Sequence, residues 1–207
     1  MQLQMNDPAP TEPTDRPDQP PVSFGDDVSR RMLRQRRVML TGPIDGPLAE
    51  RVCAQLLVIE AEDPDLPITL YLHSPGGEVD AGFAVYDTMR ALRCEVATVC
   101  VGFAASMAQF LLCGGAPGRR SAYAHSRILM HQPLGSVQGF AVDIAIQAEQ
   151  FTIMRRLMAE LTAEHTGQTV ERILTDGERD RWFTPQDALE YGMIDRIIEA
   201  PVRRVSQ

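Results

Sequence analysis

Two apolar periods alternate along this chain. From Pro47 to Ala61, Leu48, Val52, Leu56 and Ile59 recur at three- and four-residue steps, which predicts a helix with one buried stripe. Residues 80–92 predict a second amphipathic helix. Val142 to His165 predicts a long one stopped by Gly167, and Thr169 to Thr175 a short one. Pro185 to Tyr191 has proline in its first turn and Gly192 just past its end, the asymmetry of a helix. Residues 28–37 carry Val28, Met32 and Leu33 among arginines, which suits a short surface helix.

Between these lie short runs of strand character: Val38–Leu40, Ile68–Leu72, Val96–Val101, Ile128–His131 and Ile194–Ile198. Thr41-Gly42-Pro43 closes the first, and Ser74-Pro75-Gly76-Gly77 follows the second as a turn. A turn at Gly102 is expected to end the third, with a helix from Ser106 to Cys113 directly after it. Strand and helix alternate through the body, so the class is α/β. Residues 1–22, rich in Pro, Asp, Gln and Thr, bury too little to offset their ordering entropy and read as a disordered tail or removable leader. Residues 23–200 then form one domain and 201–207 a C-terminal tail.

Composition narrows the function. At 207 residues and 44% hydrophobic, the chain builds one substantial core. No apolar run approaches the roughly 18 residues that a spanning helix needs, and the N-terminus lacks the basic head and apolar stretch of a secretory signal. No membrane is expected, and the expected location is the cytoplasm. A net charge of −8 argues against nucleic acid as a partner. Cys53, Cys94, Cys100 and Cys113 form no Cys-x-x-Cys pair and read as small buried thiols, so neither metal nor cofactor is implied.

Ser106 follows a strand and opens a helix, among small residues (Ala104, Ala105, Ala108) that leave room for a substrate carbonyl. A serine there meets unpaired backbone N–H groups, but the same context fits an ordinary N-cap. As a nucleophile it needs a base and a group to orient that base. All 20 basic residues are arginine. A Ser/Lys dyad is therefore impossible, and the base must be one of His73, His125, His131 or His165. His131, at a strand end, is the most site-like; His165, at a helix end, is most simply a solvated charge. Asp176, Asp180 and Asp187 are the candidate orienting carboxylates. The glycine pair Gly76-Gly77 permits close backbone approach, as an oxyanion donor or a dock for substrate backbone.

Several spaced motifs together resemble one family: ClpP, the proteolytic subunit of the Clp protease. They are Leu40-Thr41-Gly42-Pro43-Ile44-Asp45, Ser74-Pro75-Gly76-Gly77, the run from Ala81 to Met89, Ala104-Ala105-Ser106-Met107, Met130-His131-Gln132-Pro133-Leu134-Gly135, and His165-Thr166-Gly167-Gln168 followed by Glu178-Arg179-Asp180. The resemblance implies a crotonase-like fold with an extended handle helix. It implies Ser106 as nucleophile, His131 as base and Asp180 as acid, with the Gly77 and Met107 N–H groups as oxyanion donors. Gly76, Leu134 and Gly135 would hold substrate backbone. It further implies heptameric rings, of one or two kinds of subunit, stacked as a tetradecamer, and a AAA+ unfoldase of the ClpX, ClpA or ClpC type that feeds in unfolded protein. Ser121 stands where the family usually has an aromatic docking residue, Phe103 where a small or polar one is usual, and His73 where Asn is common. These departures suggest a divergent paralogue. Two other readings compete: a weakly active or structural subunit of a mixed complex, and a crotonase-fold enzyme acting on acyl-CoA.

Overall fold

The computed structural model describes residues 24–133 and 140–199. In chain order the elements are α1 (Phe24–Arg34), β1 (Arg37–Thr41), α2 (Gly46–Glu62), β2 (Ile68–Ser74), α3 (Val79–Ala91), β3 (Val96–Ala105), α4 (Met107–Cys113), β4 (Arg120–Tyr123), β5 (Arg127–Met130), α5 (Ala141–Thr166), α6 (Val170–Asp176), β6 (Arg181–Phe183), α7 (Pro185–Tyr191) and β7 (Arg196–Ile198). Among the described residues no helix is long and apolar enough to cross a membrane.

The sheet runs β1-β2-β3-β4-β7, all parallel, and it forks at β3. The first half of β3 pairs with β4, from Thr98↔Arg120 to Cys100↔Ala122. The second half turns to β5, from Phe103↔Arg127 to Ala105↔Leu129. β6 then adds to β5 antiparallel. Parallel strands covered by crossover helices lose contact with water, which is why Leu40, Ile68, Leu70 and Leu72 are fully buried. All seven residues of α4 are buried, so this short apolar helix is the centre of the core.

Local chemistry sets the helix ends. The Asp45 side chain accepts from the Leu48 N–H at 2.9 Å at the start of α2, and Thr184 and Asp187 form a capping box at α7. Gly167 (φ 72°) and Gly192 (φ 88°) close α5 and α7 in the left-handed conformation that spares the last carbonyls.

Two expectations change. Gly102 does not end a strand; β3 runs through it to Ala105. Leu72 pairs with Cys100 and Ser74 with Ala104, so two extra residues of β3 bulge out between these pairs. Gly102 takes φ 73° inside that bulge, its N–H donating to Ser126 Oγ at 3.1 Å. The other change is the addition of β4 and β6. Neither carries an apolar period of its own, and both exist because a neighbouring strand pairs with them.

One partly buried ion pair ties the layers together. Arg120, at the start of β4, reaches both oxygens of Asp195, at 3.0 and 2.6 Å, and donates to the His165 carbonyl at 2.6 Å. Burial pushes the Asp195 carboxyl up, but the Arg120 hydrogen bonds and charge outweigh it and hold the group below the usual carboxylate range. Asp195→Asn leaves Arg120 without its counter-charge and is expected to cost about 1–3 kcal/mol in urea unfolding, less than a fully buried pair because Asp195 keeps contact with solvent. The folded pKa is depressed, so this stabilisation is complete above the unfolded value of about 4. It is lost as pH falls through the folded value, and the gap between wild type and variant should close in acid.

Candidate active site

Three neighbouring strands each end or begin on one of the residues in question. β3 runs into Ser106, whose N–H donates to the Leu129 carbonyl of β5 at 2.9 Å. β5 runs into His131. The antiparallel register of β5 and β6 pairs Met130 with Arg181; one step further sets His131 opposite Asp180. The fork in the sheet therefore gathers residues 25 and 49 positions apart onto one edge.

His131 Nδ1 lies 3.9 Å from Asp180 Oδ1, an electrostatic contact longer than a hydrogen bond. The His131 side chain is 16% exposed and that of Asp180 65%. Ser106 and His131 line the same small cavity, of about 40 Å³, with Phe110 and Met158 on its wall. Among the described residues no hydrogen bond joins the Ser106 hydroxyl to His131.

Ser106 holds the N-cap position of α4 yet makes no capping bond, so its hydroxyl is not spent on the helix. Its backbone sits at φ 55°, ψ −122°, a sparsely populated conformation that costs on the order of 1–3 kcal/mol for a residue with a side chain. The result is a sharp strand-to-helix turn that sets Ser106 on the wall of the cavity it shares with His131. The small residues around it do a different job from the one expected. Ala104, Ala105 and Ala108 are buried and pack into the core. The space beside Ser106 comes from Gly76, where a Cβ would sit 2.7 Å from Ser106 Cβ and 2.6 Å from the Ala105 carbonyl oxygen. The strand-like bridge between Gly77 and Ile44, with the Ile44 N–H donating to the Gly76 carbonyl at 2.9 Å and the Glu78 N–H to the Ile44 carbonyl at 2.8 Å, fixes the glycine loop against Met107. Among the described residues the Gly77 and Met107 N–H groups have no backbone acceptor.

The rival candidates are occupied elsewhere. His165 is not a solvated charge: it is half-buried, its Nε2 2.8 Å from the Tyr86 hydroxyl, and burial pushes its imidazole below the ordinary value. His73 Nδ1 lies 2.7 Å from the Val101 carbonyl, on the bulge of β3. His125 is exposed in the turn between β4 and β5. Asp187 closes the capping box of α7. Asp176 faces Arg172, Arg181 and the Tyr191 hydroxyl. Leu134 and Gly135 lie outside the described residues.

Sequence reasoning missed two contributors. Gln132 donates its N–H to the Gly177 carbonyl at 2.7 Å and its side-chain amide to the Glu178 carbonyl at 3.3 Å, tying the residue after His131 to the loop before Asp180. Trp182 stacks on Phe103 at 5.7 Å, with Arg127 over both rings, across the outer face of β3, β5 and β6. The conjunction of Phe103 with an aromatic residue in the Asp180 segment was the available signal.

A forked parallel sheet, with a strained serine, a histidine and a carboxylate on one edge, defines the class: a ClpP/crotonase-like serine peptidase. Residues 23–201 match the family model described as Clp protease, and the chain belongs to that family. It is 53% identical over 182 residues to the ATP-dependent Clp protease proteolytic subunit 2 of Corynebacterium glutamicum, covering 86% of this chain and 90% of that protein. It is 54% identical to the subunit 2 of Rhodococcus jostii, covering 86% and 91%. It is 52% identical to the subunit 1 of Mycobacterium tuberculosis, covering 86% and 88%. The protein is an ATP-dependent serine endopeptidase subunit.

Proposed function

We propose that Ser106, His131 and Asp180 are the catalytic triad of this subunit. The observation that carries this is their convergence at adjoining ends of β3, β5 and β6. His131 Nε2 takes the Ser106 proton as Oγ attacks the peptide carbonyl. Asp180 holds the Nδ1–H side of the ring and stabilises the imidazolium that forms. The Gly77 and Met107 N–H groups receive the oxyanion. The imidazolium returns its proton to the leaving amine, and water, activated by the same histidine, then releases the acyl group from Ser106 and restores the enzyme.

Gly76, with Leu134 and Gly135, holds substrate backbone beside the nucleophile. A cleft of about 770 Å³ adjoins Gly77, lined by Ile44, Val79, Phe151 and Met154 with Asp45, Glu78 and Asp80 on its rim, and a cleft of that size accommodates several residues of an extended chain. The substrates are unfolded proteins, delivered in the cytoplasm by a AAA+ unfoldase of the ClpX, ClpA or ClpC type. Val142, Ile146 and Ile153 of α5 are exposed, an apolar face that a lone subunit leaves unpartnered. This supports a contact between subunits through α5; in the proposed assembly two heptameric rings stack there, and the 3.9 Å His131–Asp180 contact tightens. Relatives numbered both 1 and 2 support rings of two subunit types.

The test is a fluorophosphonate probe on the assembled protease. Labelling should fall on Ser106 of this chain and vanish in Ser106→Ala. A chain that stays unlabelled while its assembly hydrolyses peptide through another subunit would be structural, and the triad reading would be lost.

A further inference from the structure

Asp176, passed over as the triad acid, has its carboxylate at the centre of a compact polar cluster. Its Oδ2 accepts from the Tyr191 hydroxyl of α7 at 2.8 Å and lies 3.4 Å from Arg172 Nε, one turn earlier in α6. Its Oδ1 contacts Arg181 Nη1 of β6. Both guanidinium groups lie over the Tyr191 ring, at 5.1 and 5.2 Å. Burial, then the Asp176 carboxylate, push the Tyr191 phenol far above its ordinary range. Asp176 is the last residue of α6, and Arg181 directly follows Asp180.

The loop Gly177–Asp180 is thus bounded on both sides by one ion pair. Its early carbonyls are tied to Gln132, beside His131. Asp180 itself is mostly exposed and has no side-chain hydrogen bond to a described residue. Its own contacts do not aim its carboxylate at His131; the backbone that carries it does. On the other face of β6, the stack of Trp182 on Phe103 prevents the strand from rolling about its axis.

Resting on the triad reading above, we infer that the Asp176–Arg181–Tyr191 cluster is a positioning clamp that sets the distance between Asp180 and His131. Asp176 is a positioning residue that touches neither substrate nor the reacting atoms. Loosening the clamp lets Asp180 swing into solvent, and His131 loses the group that orients its ring.

The test uses the assembled protease and follows, at neutral pH, the rate of Ser106 phosphonylation in this chain and the fraction of sites labelled at completion. Asp176→Asn keeps the shape and an acceptor for Tyr191 but removes the charge that holds Arg181. The expected rate loss at neutral pH is about 10- to 100-fold, the cost of a misplacement of about 1 Å. The fraction of Ser106 sites labelled at completion should stay at the wild-type value, because a misaimed carboxylate slows the site without unfolding it. Asp176→Glu, which restores a carboxylate to the cluster, should recover most of the rate. If Asp176→Asn does not assemble, Arg181→Met opens the same ion pair while keeping the Asp176–Tyr191 bond, and the same slower but complete labelling is expected of it. A normal rate, or fewer labelled sites that each react at the wild-type rate, overturns the clamp and marks the cluster as structural. Ser106→Ala and Asp180→Asn run in parallel separate the two ideas. Undiminished labelling in those variants overturns the triad itself, whereas their loss beside a normal Asp176→Asn overturns the clamp alone.

Discussion

His131→Ala is expected to lower single-turnover peptide hydrolysis at this chain's site by roughly 10⁶-fold, about as much as deleting the nucleophile, because the two act as one unit. A serine hydroxyl has almost no oxyanion character at neutral pH, and its strained seat at the start of α4 orients it without deprotonating it. Only a base in reach converts it. The chain has no lysine, and among the described residues no other histidine lines the Ser106 cavity, so no second base stands ready when His131 is removed. On the proposed assignment, what survives is oxyanion stabilisation by the Gly77 and Met107 N–H groups and binding alone. Asp180→Asn should cost less, about 10⁴-fold, because the imidazole remains but its tautomer and orientation are no longer enforced. The measurement is burst-phase hydrolysis of a short fluorogenic peptide, with the neighbouring subunit type inactivated where rings are mixed. A His131→Ala site within tenfold of wild type would remove His131 as the base.

Gly76→Ala is expected to have the next largest effect, for a steric reason. The added Cβ would lie 2.6 Å from the Ala105 carbonyl oxygen, 2.7 Å from Ser106 Cβ and 3.0 Å from the Met107 nitrogen. Two of these atoms are backbone and cannot rotate away. The alanine would also sit at φ 88°, which costs about 1–2 kcal/mol before any clash. Relief can come only by pushing the glycine loop from the start of α4, which moves the Gly77 and Met107 N–H groups apart. A displacement of about 1 Å in such a site costs about 100-fold in rate, and that is the expected loss in Ser106 labelling. Gly118→Ala is the control: φ is 78°, but nothing lies within 4 Å of the new Cβ. It should show the strain cost in urea unfolding with labelling unchanged. Equal loss in both variants would mean that backbone strain, not crowding at Ser106, is the cause.

These expectations rest on contacts of different visibility. The helices were readable because each buries one stripe or is closed by a residue suited to its end; Gly167 and Gly192 take the left-handed conformation that their positions suggested. β6 was not readable. Arg181-Trp182-Phe183 is too short for a period and stands among charges, and only the edge of β5 makes it a strand. The bulge at Gly102 misled for a related reason. A glycine with positive φ ends a strand in most settings, and whether it ends one or bends one depends on the neighbour, here His73 and Ser126. His165 misled because a helix end is usually wet, and nothing local announces that Tyr86, 79 residues away, will cover it.

By itself the sequence determined the α/β class, the run of helices, the absence of any lysine base and, through spaced motifs, the family. These are properties of composition and of neighbours within a few residues, where periodicity and capping chemistry act. The tertiary structure decided which carboxylate faces His131, because Asp176, Asp180 and Asp187 differ only in where the chain points them: into a cluster with Arg181 and Tyr191, toward the histidine, or onto a helix end. It also decided that the room at Ser106 belongs to Gly76, thirty residues earlier. Register and close packing join residues that no local rule relates, and in this protein the site is built from such pairs.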